Sequence, residues 1–407
     1  MITKDNKKIS IVLMVMLLFA TQACTDIFLS GLPSIAKEFC TTMQVINWTI
    51  SVYNISQAIV VLFIGVISDL WGRRATFMLC LALHIIGTIW IALSSSISWM
   101  IAMRVLQAIG SAAAYIILRL IIKDTMDKKA QIHATGLLVM GLVLSPILAP
   151  VIGAWIIRLS NWRNCFWALT VLELPLFFWS WLTIVETNRQ QVEFRKTFSW
   201  KRHINNYIVV LMDPYFLGMA LIVGAAFAAF YSFISISSFL YIDQFGIAET
   251  TYAYIFIGIA LSYLLGNRLM STLNANNLPP QQIIRYGIFL SIAGTACILS
   301  ELLARNSLAI VLLVTTGTYL LRLATALINP PAQVAVTNYF NDKGSHALGL
   351  LTCAQYAFAA FGTMVVSGLP MSPNVNFMVS TTLFVLLATI GYGFAFKRQI
   401  TQELMNE

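Results

Sequence analysis

The sequence predicts an all-α membrane protein of twelve transmembrane helices in two pseudo-symmetric six-helix bundles. Three observations lead there. Of 407 residues, 59% are hydrophobic and only 10% are charged, too apolar for a soluble globule with a charged skin. Apolar runs of roughly 20 residues, the length that crosses a bilayer, recur almost end to end. A long polar loop then divides these runs six and six.

In order, the runs fall at about 9–29, 45–67, 75–94, 99–122, 131–157 and 164–185, then 214–240, 251–271, 283–303, 308–328, 345–368 and 374–396. Between the sixth and seventh lies the polar, basic stretch "ETNRQQVEFRKTFSWKRHINNY" at 186–207. The expected domains are therefore an N-terminal bundle over 1–186, a cytoplasmic linker over 187–212 and a C-terminal bundle over 213–407. The linker reads as a solvated segment that also touches anionic headgroups.

Charge distribution sets the orientation. With the N-terminus inside, Arg73, Arg74, Lys123, Arg189, Arg195, Lys196, Lys201, Arg202 and Lys397 all fall on inner segments. Outer segments hold only Lys37, Arg158, Arg163 and Arg305. The positive-inside rule thus expects both termini in the cytoplasm of a multi-pass protein of the inner membrane. A net charge of +9 is explained by this bias and needs no nucleic acid. The run after "MITKDNKKIS" is too long for a signal peptide, and Thr21 is wrong for a lipoprotein cleavage site at Cys24.

The six cysteines are scattered without metal-ligand spacing, so neither a metal nor another cofactor is expected. Cys40 and Cys165 both lie near the outer face, where pairing or plain packing are the two readings. Little chain remains for a soluble catalytic domain, and the spans show no HExxH or nucleophile–base pair, so an enzyme is not expected. The expected partners are a small-molecule substrate, protons and the lipid bilayer, with the protein acting as a monomer.

Between spans two and three, "GVISDLWGRRAT" places Gly65, Asp69, Gly72, Arg73 and Arg74 at the spacing G-x-x-x-D-x-x-G-R-R. A tight turn would need only Gly72 and the basic pair; Asp69 makes the pattern specific. It resembles the signature of the major facilitator superfamily, where such a cluster acts as a latch at the cytoplasmic face. Its glycines are expected to let two helices approach. Asp69 is expected to cap a helix end or pair with a nearby arginine.

The resemblance extends along the chain. "CTDIFLSGLPSIA" at 24–36, "MRVLQAIGSAAA" at 103–114 and "LSPILAPVIGAW" at 144–155 resemble the first-, fourth- and fifth-span motifs of twelve-span drug:proton antiporters. Together they are most similar to the bicyclomycin/chloramphenicol-resistance (Bcr/CflA) type. That likeness implies the major facilitator fold, proton antiport, and a helix-bending role for Pro146, Pro150 and Gly153. Ala108 and Ala149 depart from it, standing where glycines are common.

Two polar stripes stand out. In span four Arg104, Gln107, Ser111, Tyr115 and Arg119 follow at spacings of 3, 4, 4 and 4, so they share one helix face. An arginine at a bilayer centre costs about 2.5–3.5 kcal/mol even on the lenient insertion scale, so the stripe is read as a cavity wall. Arg119, near the inner end, has snorkelling as its other reading. In span ten Thr315, Thr318, Arg322, Thr325 and Asn329 follow at 3, 4, 3 and 4. Span seven adds aromatic residues, among them Phe230 and Tyr231, suited to packing or to a ring-bearing ligand.

Proton coupling needs an acid, and span one offers Asp26, with Gln22 one turn earlier. A carboxylate whose surroundings change between two states of a carrier can load and release a proton. The resemblance assigns that role to Asp26, partnered by Arg104; a purely structural Asp26–Arg104 pair is the alternative. Glu173 in span six and His84 in span three are expected to meet, as a buried polar contact or a second protonation site. The function these features predict is a proton-coupled exporter of small amphiphilic drugs or metabolites. A dedicated carrier of an anionic metabolite, such as a carboxylate-type metal chelator, is the alternative, and a transporter-like receptor a further one.

Overall fold

The computed structural model describes residues 4–188, 191–304 and 306–406; Arg189 and Arg305 of the charge pattern lie outside the described residues. Among the described residues the regular structure is entirely helical, with α1 over Lys4–Asp26, α2 over Leu32–Glu38, α3 over Met43–Trp71, α4 over Arg73–Ala92 and α5 over Ile97–Thr125. There follow α6 over Lys128–Leu159, α7 over Arg163–Thr183, α8 over Gln191–Thr197, α9 over Trp200–Leu211 and α10 over Pro214–Ser238. The last are α11 over Glu249–Ala275, α12 over Pro280–Leu299, α13 over Ser307–Tyr339, α14 over Gly344–Gly368 and α15 over Pro373–Asn406. Twelve helical stretches, from Ile11–Glu38 to Pro373–Lys397, are long and apolar enough to cross a membrane.

Short polar residues start several of these helices by accepting a hydrogen bond from an otherwise orphaned first-turn N–H. Thr42 does this for α3, Ser96 for α5, Asp127 for α6, Asp213 for α10 and Asn306 for α13. Prolines shape the spans. Span one stops being α-helical at Asp26, passes through a 3-10 turn at Leu29–Gly31 and resumes as α2 with Pro33 in its first turn. Span ten outruns its expected end at 328, continuing through Pro330 and Pro331 to Tyr339.

Two compact units divide the chain. Unit one comprises Met1–Phe198 with Ala248–Ile257, and unit two comprises Ser199–Ile247 with Gly258–Glu407. Unit one is built on an apolar core that includes Leu17, Leu18, Phe77, Leu81, Ile117, Leu118 and Leu176. Unit two packs Ala225, Ala228, Ala229 and Ala388, small residues that let helices come close, around Phe384. Large apolar residues on the outside, such as Leu159, Leu182 and Phe178, are placed for lipid.

The segment read as a solvated linker is mainly helical, carrying α8 and α9. In α9 only His203 and Val210 are buried, so it is a one-sided helix. All six cysteines are free, Cys40 exposed and Cys165 buried, so they do not form a disulfide.

Candidate functional site

The centre of unit one is Arg104. Its side chain is 1% exposed, and its guanidinium lies 4.0 Å from the centre of the Phe28 ring, with Tyr53 and Phe166 at 5.4 and 5.6 Å. One Nη donates to the Cys24 carbonyl at 3.0 Å and to Gln107 Oε1. Cys24 sits in the last turn of α1, where carbonyls lack intrahelical partners and a cation meets the negative end of the helix dipole. The arginine thus holds the end of a broken span. It is packed into protein and not laid along an open wall, which corrects the expectation from its stripe.

Other stripe residues divide into two groups. Ser111 accepts from Gln22 at 2.9 Å and from Gln57 at 3.3 Å, joining α1, α3 and α5. Tyr115 and Arg119 form a local pair, with Arg119 exposed and donating to the Tyr115 hydroxyl at 2.8 Å. Asp26 accepts from Ser145 of α6 at 2.8 Å. The hydrogen bonds of Arg104 go to Cys24 and Gln107, so the direct Asp26–Arg104 bond expected of a structural pair is not the arrangement seen.

Why α6 reaches Asp26 is plain from its glycines. A Cβ added at Gly153 would lie 1.7 Å from the Ile27 carbonyl oxygen, and one at Gly141 2.7 Å from that of Val15. Without side chains there, α6 lies directly on α1. Pro146 and Pro150 both lie inside α6, beside Ser145, and Ala149 is buried between them.

The signature residues gather around Arg73. Its guanidinium reaches Asp69 at 2.6 Å, Asp124 at 3.2 Å and the Ser68 hydroxyl at 2.6 Å. Glu186, at the end of span six, accepts from the backbone N–H groups of Arg73 and Arg74 at 2.9 and 3.1 Å. That carboxylate caps α4, while Asp69 takes the other of its two expected tasks and pairs with Arg73. Arg74 donates to the Trp181 carbonyl at 2.9 Å. Gly72 has φ +99°, a conformation that favours glycine. A Cβ at Gly65 would meet nothing within 4 Å, so close helix approach is not the role of this glycine.

In unit two the Arg322 guanidinium stacks on Phe230 at 4.2 Å and on Tyr263 at 4.4 Å. Tyr231 makes an edge contact with Phe230 at 5.9 Å. Thr318 and Thr325 are buried, and their hydroxyls donate to the carbonyls of Val314 and Leu321 on their own helix, both at 2.8 Å. Asn329 accepts from Gln355 of α14 and, at 3.2 Å, from Gln333.

Sequence reasoning missed Ser145, Tyr263, Asp124 and Glu186. Each is an ordinary residue until the fold sets it beside an arginine or a carboxylate, or, for Glu186, beside the first N–H groups of α4. Only Ser145 carried a signal, as the residue preceding Pro146 in the span-five motif. Chemically, unit one offers a carboxylate beside a broken helix and a buried cation, and unit two a cation on two aromatic faces.

Comparison with known proteins yields a family model described as Major Facilitator Superfamily that matches residues 13–363. The chain is 24% identical over 286 residues to the uncharacterized MFS-type transporter YdgK of Bacillus subtilis (strain 168), covering 70% of each protein. It is 27% identical over 228 residues to the multidrug resistance protein MdtL of Escherichia coli, covering 56% of this chain and 57% of that relative's length. A solved structure of a bacterial homolog of the human lysosomal transporter Spinster superposes with a TM-score of 0.71 at 16% identity, covering 97% of both chains. At that identity the likeness speaks to the fold alone.

Proposed function

The chain belongs to the major facilitator superfamily, and on that premise we propose that this transporter is a proton-coupled exporter of small amphiphilic compounds, working by alternating access. It is a membrane transporter and not an enzyme. The reading places it in the inner membrane with both termini in the cytoplasm, in the Bcr/CflA branch, and it keeps 1–186 and 213–407 as two bundles about the 187–212 linker.

One observation carries the coupling. Span one breaks at Asp26, and the fully buried Arg104 holds the carbonyl of Cys24 two residues away. A change in how α1 ends therefore moves a proton-binding carboxylate and a fixed cation together. The name of MdtL and the aromatic faces around Arg322 support amphiphilic substrates. The anionic-metabolite carrier draws no support from these relatives and is not adopted.

The test uses everted membrane vesicles with an imposed pH gradient and three probes: tetraphenylphosphonium, chloramphenicol and taurocholate. Gradient-driven accumulation of the cationic or neutral probe is expected. Asp26→Asn, which can still accept from Ser145, should fold normally and lose the dependence on the gradient. Accumulation that persists unchanged after the gradient is collapsed overturns the coupling, and uptake of taurocholate alone overturns the substrate class.

A further inference from the structure

Behind Arg104 lies a second buried titratable pair that the export reading does not use. His84 of α4 and Glu173 of α7 meet at 3.0 Å between Nε2 and Oε1, with side chains 0% and 1% exposed. His84 Nδ1 lies 2.6 Å from the Gln107 backbone carbonyl. A carbonyl only accepts, so the hydrogen of that bond is on Nδ1. If the ring is neutral, Nε2 is then a bare lone pair and Glu173 must carry the proton that faces it. If the ring is an imidazolium, Nε2 donates to a carboxylate. Either way one proton lies between Nε2 and Oε1, and the pair as a whole is neutral.

Losing that proton has a defined consequence. The Nε2 lone pair would face a carboxylate in a buried site, which is repulsive and unsolvated. Moving the hydrogen from Nδ1 to Nε2 relieves this, at the cost of the bond to Gln107. The side chain of Gln107 accepts from Arg104 and donates to Thr88 at 3.0 Å, while Thr88 donates to the His84 carbonyl at 2.9 Å. There is little slack to absorb the change. A Cβ at Gly110 would lie 2.3 Å from His84 Cβ, and one at Gly87 2.9 Å from the Gln107 nitrogen. Glu173 Oε2 is buried with no hydrogen-bond partner among the described residues, an unsatisfied acceptor that a purely structural cross-link would not need.

We propose that His84 and Glu173 hold one exchangeable proton whose loss is passed through Gln107 to Arg104, making the pair a second proton-binding site of the carrier. The proposal rests on the reading of the protein as proton-coupled. Of the other titratable and charged groups, Cys24 of α1 interacts electrostatically with Glu173, and Cys24 in turn with Asp26, Tyr53 of α3 and Arg104 of α5. The step balances: one proton leaves Glu173 or the imidazolium for solvent, and the site gains one negative charge.

Infrared difference spectra of the full-length protein in lipid, stepped from acid to alkaline pH with isotope-labelled arginine, test this. Wild type should show a carboxyl or imidazole band that titrates and is absent from Glu173→Gln, together with a guanidinium band that moves in the same step. Glu173→Gln preserves the contact, because its amide can donate to Nε2; should it fail to fold, His84→Gln removes the proton from the other side. A wild-type spectrum identical to the variant's at every pH overturns the site. A guanidinium band that moves equally in the variant overturns the link to Arg104. Asp26→Asn should retain the Glu173 signal. A wild-type carrier indifferent to the pH gradient overturns the coupling reading itself, whereas a silent Glu173 overturns this second site alone.

Discussion

The polar stripes of α5 and α13 have nearly the same spacing and contrasting structures. In α5, Arg104, Gln107 and Ser111 are buried and bond across to α1, α3 and α4. In α13, Thr318 and Thr325 bond back to their own helix, and Arg322 rests on the faces of two aromatic rings. Periodicity assigns a residue to a face. What that face meets is decided by the neighbours: the α5 stripe cross-links helices at its middle, whereas the middle of the α13 stripe is a cation on an aromatic seat and its end residues Thr315 and Asn329 make the bonds to other elements.

Removing Arg104 should break this contrast most severely. Arg104→Met would leave the Cys24 carbonyl and Gln107 Oε1 buried without a donor, costing about 2–4 kcal/mol at the usual penalty for unsatisfied groups. A thermal melt should fall accordingly and transport should be lost; an unchanged melt would mean that the end of α1 does not depend on this arginine. Arg322→Ala should cost about 1–2 kcal/mol, the worth of a partly desolvated cation on aromatic rings. It should weaken taurocholate more than chloramphenicol in a thermal-shift assay, and equal weakening would remove any charge selection from Arg322.

Finer variants sharpen the difference between the stripes. Ser111→Ala takes away the acceptor shared by Gln22 and Gln57 and should destabilise by about 1 kcal/mol. Thr318→Val and Thr325→Val remove only hydroxyls bonded to their own helix and should stay within about 0.5 kcal/mol of wild type. A threonine variant that melts as low as Ser111→Ala would show that the α13 hydroxyls do more than satisfy their own backbone.

The signature cluster shows the same limit of sequence reading. Asp69 and Arg73 are four residues apart across the turn at Gly72, so their pairing at 2.6 Å was legible as a local contact within the motif. Glu186 lies more than a hundred residues along the chain from the N–H groups it caps, and no local pattern marks it. Gly65 and Gly72 look equivalent in the motif. Only backbone geometry separates a positive-φ glycine that abuts Glu186 from one that borders open space.

Length, apolarity and motif spacing by themselves determined twelve spans, the superfamily, the candidate acid Asp26 and the faces on which the arginines lie. These are properties of hydrophobic transfer and helical periodicity, which act within one segment. Tertiary structure alone decided that Arg104 is sealed against α1, that Ser145 holds Asp26 and that the Gln107 carbonyl meets the far side of the His84 ring. Those contacts join residues distant in sequence, and where α6 meets α1 and α4 meets α5 the helices come together at glycines, where a missing side chain and not a chemical motif sets the distance.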